Sequence, residues 1–119
     1  MADNSPHLPF IPTNHPDRGP GIALQVIDFE AAGVSPPFRG SRFVVAPGHS
    51  TREDVHAVAE LWSIACGHGK LLYDGVEIPV QEGDFLYLAP FKKHVVINDG
   101  DDRLVICSQW WDTNAQPTV

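Results

Sequence analysis

The chain has 119 residues, enough for one domain and too few for two. Hydrophobic residues make up 43% of the chain and charged residues 19%, a composition typical of a folded globular protein and not of a disordered one. Eight Lys and Arg residues against 15 Asp and Glu give a formal charge of −7, which repels phosphate backbones and anionic membranes. We therefore expect no nucleic acid or membrane partner, and no apolar run approaches the roughly 20 residues of a transmembrane helix.

The beginning of the chain is polar and acidic and has no basic region followed by an apolar one, so it does not resemble a secretory signal. The two cysteines, Cys66 and Cys107, lie in apolar runs and lack the CxxC spacing of metal and redox motifs. We expect them to be reduced, buried thiols in a cytoplasmic protein.

Residues 1–21 contain five prolines and two glycines, which disfavour a helix and most sheet pairing. This segment is predicted to be an irregular, Pro-rich arm. Its apolar members, Leu8, Phe10 and Ile11, are suited to hold the arm against the domain or against a partner subunit.

Eight short runs of β type follow the arm, separated by turns that contain Gly, Pro or Asp-Gly. The pair Asp74-Gly75 predicts a two-residue hairpin turn, in which both central residues need positive φ. The stretch 52–64 is also compatible with a helix, but β-type neighbours flank it on both sides. The predicted runs are 23–29, 41–46, 56–66, 70–73, 76–80, 85–89, 94–97 and 104–111.

Many short strands at regular spacing predict an all-β sandwich, jelly roll or barrel. A small all-β domain must hide its strand edges, and closure into a barrel or into a dimer sheet does so. We expect the barrel to span residues 22–112 and a C-terminal tail to cover 113–119.

Side chains that face into such a barrel form its core or a wall for a substrate. Trp110 and Trp111 are adjacent in a strand, so their rings should face opposite sides, and an inward Arg42 would suit a carboxylate. The candidates for inward positions are Val58, Trp62, Ile64, Phe85, Tyr87, Val96, Val105 and Cys107, with Arg42, Tyr73 and Gln109 as further polar candidates.

Two histidines, His56 and His94, each open a β run and have polar neighbours. Asp54 lies two residues before His56, so the two side chains share one face if the segment is a strand. Glu60 follows His56 by four residues, and Asn98 follows His94 by four. Two imidazoles and one or two carboxylates inside a barrel are a ligand set for Zn, Fe, Mn, Ni or Co.

The spacing of these residues resembles the first motif of the cupin family. That motif is Gly, five residues, His-x-His, three or four residues, Glu, six residues and Gly. Every interval fits, and the single departure is an aspartate in the place of the first histidine. The matching residues are Gly48, Asp54, His56, Glu60 and Gly67.

The second cupin motif is Gly, five residues, Pro-x-Gly, two residues, His, three residues and Asn. Its intervals also fit, although alanine and phenylalanine stand in the Pro and Gly places. The matching residues are Gly83, Ala89, Phe91, His94 and Asn98. Together with the Asp-Gly hairpin between the motifs, the resemblance covers about residues 42–110.

The resemblance implies a double-stranded β-helix, or jelly-roll, cupin barrel, commonly a homodimer, with one divalent transition metal (Fe, Zn, Mn or Ni) inside one mouth. Carried over by position, the ligands are His56, Glu60 and His94, with Asp54 in the place of the first histidine. Asp54 then either binds the metal or supports its ligands from beside them; a third alternative is a site that binds metal weakly or not at all.

The predicted function is therefore a metal-dependent enzyme acting on a small polar or aromatic metabolite, of dioxygenase, isomerase/cyclase or lyase type. Glu60 and Asp54 are candidates for the general base, and Tyr87 is a further catalytic candidate. The alternative is a non-catalytic cupin that binds a small molecule or acts as a scaffold, with a degenerate metal site.

Overall fold

The structure, a computed structural model, describes residues 5–12 and 19–113. Within these ranges the regular structure is all strand, and no helix is long and apolar enough to cross a membrane. The predicted all-β fold is confirmed, and the helical alternative over 52–64 is wrong. The strands are β1 (Ile22–Val26), β2 (Arg39–Val45), β3 (Ala59–Cys66), β4 (His68–Tyr73), β5 (Val76–Gln81), β6 (Phe85–Leu88), β7 (His94–Ile97) and β8 (Leu104–Trp111).

The strands form two antiparallel sheets, as expected for a jelly roll. The larger sheet has the order β1-β2-β8-β3-β6, and the smaller has the order β5-β4-β7. Both sheets contribute to one hydrophobic core, in which the fully buried side chains come from several strands of each. The core side chains are Phe43, Val45, Trp62, Ile64, Leu71, Val80, Leu88, Val96, Leu104 and Ile106.

The hairpin between β4 and β5 confirms the turn predicted from Asp74-Gly75. Both residues have positive φ, 48° and 84°, as a two-residue turn between twisted strands requires. Tyr73 and Val76 pair directly across the turn and end the ladder.

Strand β6 corrects part of the predicted interior. Phe85 and Tyr87 are 74% and 58% exposed, whereas Leu86 packs against the core and Leu88 belongs to it. The prediction that Phe85 and Tyr87 line the barrel is wrong. The run Phe-Leu-Tyr-Leu is apolar at every position, so its pattern does not distinguish the inner face from the outer one.

The cysteines also differ from the prediction. Both are free thiols, but they are half-buried and not fully buried. Cys107 follows core residue Ile106 on β8, so its side chain faces away from the core between the sheets. In the same strand Val105 is buried but lies outside the core cluster.

The described part of the arm lies along the edge of β1. Phe10 forms an isolated bridge with Ile27, supported by hydrogen bonds from Ile11 N to Val26 O and from Asp28 N to Pro9 O. Phe10 therefore lies against the domain, one of the two positions expected for the apolar residues of the arm, whereas the side chains of Leu8 and Ile11 are exposed. Residues 1–4, 13–18 and 114–119, which include most of the predicted tail, lie outside the described residues.

Candidate metal centre

The segment between β2 and β3, residues 46–58 and here called the connecting segment, runs antiparallel along the edge of β7. Asp54 and His94 exchange two backbone hydrogen bonds of 3.0 Å, and Thr51 bonds Val96 through both its amide and its hydroxyl. At its end, Phe91 N donates to His56 O at 2.8 Å. This pairing places Asp54 and His56 beside His94 at one mouth of the barrel.

Asp54 and His56 do not lie in one regular strand, which was the condition for expecting their side chains to share a face, and the run predicted to begin at His56 begins at Ala59. Only isolated bridges, at Ser50 and Asp54, join the connecting segment to β7, and β3 begins later, at Ala59. The two side chains nevertheless converge, because the connecting segment is extended and anchored at both ends by the hydrogen bonds to β7 and to Phe91.

Glu60 is the buried acid of the site. It is the second residue of β3, and its Oε2 accepts hydrogen bonds of 2.7 Å from Trp62 Nε1 and from Ser108 Oγ. Trp62 lies two residues after Glu60 on the same strand, and Ser108 pairs with Trp62 from the neighbouring strand β8. With Oε2 fixed in this way, Oε1 lies 2.5 Å from His56 Nε2 and 3.9 Å from His94 Nε2.

The two imidazoles lie with ring centroids 5.2 Å apart, and their second nitrogens have different partners. His94 Nδ1 lies 3.2 Å from Lys92 O, a group that only accepts, so Nδ1 is the donor in this contact and Nε2 is the ring nitrogen that faces the site. The Trp62 ring contacts the His94 ring edge-on at 5.6 Å. His56 Nδ1 is buried and has no hydrogen-bond partner among the described residues.

The donor atoms of Asp54, His56 and His94 lie within 4.8 Å of one another, and Asp54 Oδ2 is 3.9 Å from His56 Nε2. Ligands bound to one ion at about 2.0–2.2 Å lie somewhat closer together than this, so small side-chain movements would complete a site. Imidazole nitrogens beside carboxylate oxygens are suited to a divalent transition metal. Asp54, His56 and His94 therefore fit the metal that the sequence predicts. Glu60 Oε1 lies directly beside the two histidines.

A cavity of about 450 Å³ opens beside these four residues. The residues that β1 contributes to the lining are all apolar, whereas most of those from the connecting segment are polar or charged. The lining residues are Ile22, Leu24, Val26, Ser41, Phe43, Thr51, Arg52, Glu53, Asp54, His56, Val58, Glu60, Trp62, His94, Ser108 and Trp110.

Three polar residues considered in the sequence take other positions. Tyr87 lies on the outer face against Trp111, with ring centroids 6.4 Å apart, so its assignment as a catalytic residue fails because it does not reach the cavity. Arg42 donates to Gln25 and lies over the ring of Phe10. The Tyr73 hydroxyl accepts a hydrogen bond from Ala89 N.

Sequence analysis did not single out Arg52 or Ser108, although both line the cavity. Ser108 could have been found only from the pairing of β3 with β8, since its role depends on lying opposite Trp62. Arg52 lies two residues before Asp54, and the residues of an extended segment that are two apart share a face, so this spacing was an available signal.

A family model of the cupin domain matches residues 41–110, more than half of the chain. The chain belongs to the cupin family. This confirms the resemblance drawn from the two motifs, and the match ends within β8.

Solved structures of cupins are similar to this one. A cupin 2 conserved barrel domain protein from Salinispora arenicola is 34% identical, with a TM-score of 0.72, over 82% of this chain and 81% of that one. Another from Rhodopseudomonas palustris is 19% identical, with a TM-score of 0.70, over 94% and 77%. A protein described as a predicted oxalate decarboxylase from Thermotoga maritima is 22% identical, with a TM-score of 0.67, over 76% and 79%. The last two similarities concern the fold alone.

Proposed function

We propose that this cupin is a metal-dependent enzyme that acts on a small polar or aromatic metabolite at a mononuclear site inside the barrel. The observation that carries the proposal is the convergence of His56, His94 and the anchored carboxylate of Glu60 beside an open cavity of about 450 Å³. A cavity of this size takes a small molecule.

The chain's own residues supply orientation and a proton acceptor. Trp62 and Ser108 hold Oε2 of Glu60, so the lone pairs of its Oε1 are directed at the two imidazoles. The His94 ring is oriented by the contact of its Nδ1 with Lys92 O. When bound, a divalent metal would supply a Lewis acid that polarises an oxygen of the substrate.

Asp54 and Glu60 are the proposed general bases, and their environments differ. Glu60 is buried and hydrogen-bonded, whereas the side chain of Asp54 is about half exposed at the mouth. A carboxylate at the mouth can exchange a proton with solvent, which favours Asp54 as the base that moves protons in and out. Dioxygenase, isomerase/cyclase and lyase chemistry are all compatible with this set. The homodimer and the cytoplasmic location stay predictions.

The alternative function is a cupin that binds a small molecule without converting it. The observation that favours it is the aspartate in the place of the first motif histidine, because a half-exposed carboxylate is a weaker anchor than a buried imidazole.

Zinc titration by calorimetry tests the metal site. We expect one equivalent to bind to the wild type and to be lost in His94→Ala, while His68→Ala, a change of an exposed histidine outside the cavity lining, binds normally. Well under one equivalent of Zn, Fe, Mn or Ni in the purified and titrated wild type would overturn the proposed metal site.

Catalysis is tested by incubating the metal-loaded protein with a mixture of small polar and aromatic metabolites and following each by mass spectrometry. We expect at least one compound to be consumed by the wild type and left intact by His94→Ala and by chelator-treated protein. Stoichiometric metal without conversion of any compound would favour the binding protein over the enzyme.

A further inference from the structure

The cavity has one cationic side chain, Arg52, among the residues that line it. Within the described part of the chain, the guanidinium of Arg52 forms no ion pair or hydrogen bond, whereas the guanidinium of Arg42 is hydrogen-bonded to Gln25. A guanidinium presents a planar fork of donors that matches a carboxylate. Arg52 is therefore available to a ligand.

The side chain of Arg52 lies beside Gly19, on the side where Ile22 of β1 also approaches. Its Cγ and Nε and the Cγ1 of Ile22 all lie within 4 Å of the position that a Cβ on Gly19 would take. Along the extended connecting segment it precedes Asp54 by two residues, about 6.5 Å between Cα atoms. A small molecule in the cavity can therefore reach both Arg52 and the metal centre.

The wall beside Arg52 is apolar and incompletely covered. Ile22, Leu24 and Val26 alternate along β1, face the cavity and are only half-buried. Phe43 and Trp110 continue this wall with aromatic rings. The apolar body of a ligand would complete the burial of these side chains, which favours its binding.

The charges that line the cavity limit the charge of the ligand. Glu53, Asp54, Glu60 and Arg52 give a formal charge of −2, which a divalent ion would bring to zero. An anion therefore binds best with the metal in place, and a ligand with several negative charges is disfavoured because only one guanidinium is available.

We propose that the substrate is a small monocarboxylate with an apolar or aromatic body, whose carboxylate binds Arg52. This deepens the proposed function and rests on it, since it assumes that the cavity beside the metal centre is the substrate site. Arg52 is then a residue that determines specificity.

The test uses benzoate, its neutral isostere benzamide and the cation benzylammonium as probes, titrated by calorimetry into the zinc-loaded protein. We expect benzoate to bind at least about fivefold more tightly than either other probe, the discrimination that one charge-assisted pair supplies. We also expect benzoate to bind less tightly to metal-free protein.

Two arginine variants complete the test, since both remove one positive charge. Arg52→Gln is expected to weaken benzoate about fivefold or more, while Arg42→Gln, which changes a guanidinium held on Gln25, leaves benzoate binding within twofold. Neither variant should alter zinc binding by more than a few fold, because Arg52 is not a ligand.

Several outcomes would overturn the proposal. The first three are equal affinity for benzoate and benzamide, equal weakening of benzoate binding by the two arginine variants, and tighter binding of benzylammonium than of benzoate. The fourth is that benzoate does not saturate the protein at about 30 mM, a concentration at which a ligand of this size should occupy a site that fits it. If zinc binds normally in these cases, the substrate class alone is wrong. If zinc fails to bind, the proposed function fails as well.

Discussion

Glu60 and His94 form the strand half of the candidate site: they belong to β3 and β7 and are buried, with only 8% and 4% of their surface exposed. Asp54 and His56 form the segment half: they belong to the connecting segment, and their side chains are 48% and 29% exposed. The strand half is held by hydrogen bonds from Trp62 and Ser108 and to Lys92 O. In the segment half, the buried nitrogen His56 Nδ1 has no hydrogen-bond partner among the described residues.

In the proposed metal site, the strand half is therefore oriented before an ion binds, whereas the segment half would have to adjust on binding. A histidine ligand is usually oriented through its second nitrogen, which His94 has and His56 lacks. We expect the two halves to respond differently to substitution, in affinity and in stability.

Removing the buried carboxylate should have the largest effect. Glu60→Ala takes the acceptor from Trp62 Nε1 and from Ser108 Oγ, so we expect a loss of about 2–4 kcal/mol in the free energy of unfolding. Zinc affinity should fall by about 100-fold or more, since even a supporting residue is worth about 10–100-fold. Urea unfolding and zinc titration measure the two effects.

The control for this change is Glu53→Ala, an exposed acid that lines the same cavity. It should alter stability by no more than about 0.5 kcal/mol. If Glu60→Ala is no more destabilising than Glu53→Ala, the hydrogen bonds from Trp62 and Ser108 do not hold the Glu60 carboxylate in solution.

Asn98 fixes the far end of β7 and should give the next largest effect. It is fully buried, its Nδ2 donates to Val45 O and Asp102 O at 2.8 Å, and its Oδ1 accepts from Gly100 N at 3.0 Å. We expect Asn98→Ala to cost about 2–3 kcal/mol in urea unfolding and to change zinc affinity by less than tenfold. A stability within about 0.5 kcal/mol of the wild type would contradict this.

The segment half should be less sensitive. Asp54→Ala removes a half-exposed carboxylate, so we expect zinc affinity to fall by about tenfold or less, much less than for Glu60→Ala. Parallel zinc titrations of the two variants measure the difference. Equal losses would mean that the connecting segment is as rigid as the strands, and would identify Asp54 as a full ligand.

The smallest effect concerns the backbone that anchors the connecting segment. Phe91, whose amide bonds His56 O, has a φ of 64°, a left-handed conformation that favours glycine. Phe91→Gly should therefore be more stable than Phe91→Ala by about 1 kcal/mol in urea unfolding.

The same pair of substitutions at Phe85, an exposed strand residue, is the control. There glycine should be the less stable of the two, because a strand interior disfavours it. The same order at both positions would mean that Phe91 carries no backbone strain.

The sequence predicted the strands, the hairpin at Asp74 and the family, because these depend on local pattern and on spacing. Motif spacing succeeded even where the residue type departs, since Phe91 stands in a glycine place and has the backbone conformation that suits glycine. The features that the sequence could not predict depend on pairing between strands that are distant in the chain. Ser108 matters only because β8 brings it opposite Trp62, and Tyr87 lies outside because of the way β6 faces.

The position of β8 at the centre of the larger sheet has a consequence for how the site assembles. This strand follows all the others in the chain, yet it separates β2 from β3 and provides the hydroxyl that anchors Glu60. A nascent chain that lacks residues 104–111 therefore exposes the unpaired edges of β2 and β3 and cannot orient that carboxylate. In the proposed metal site, binding of the ion would therefore depend on completion of the sheet and would report on folding of the whole barrel.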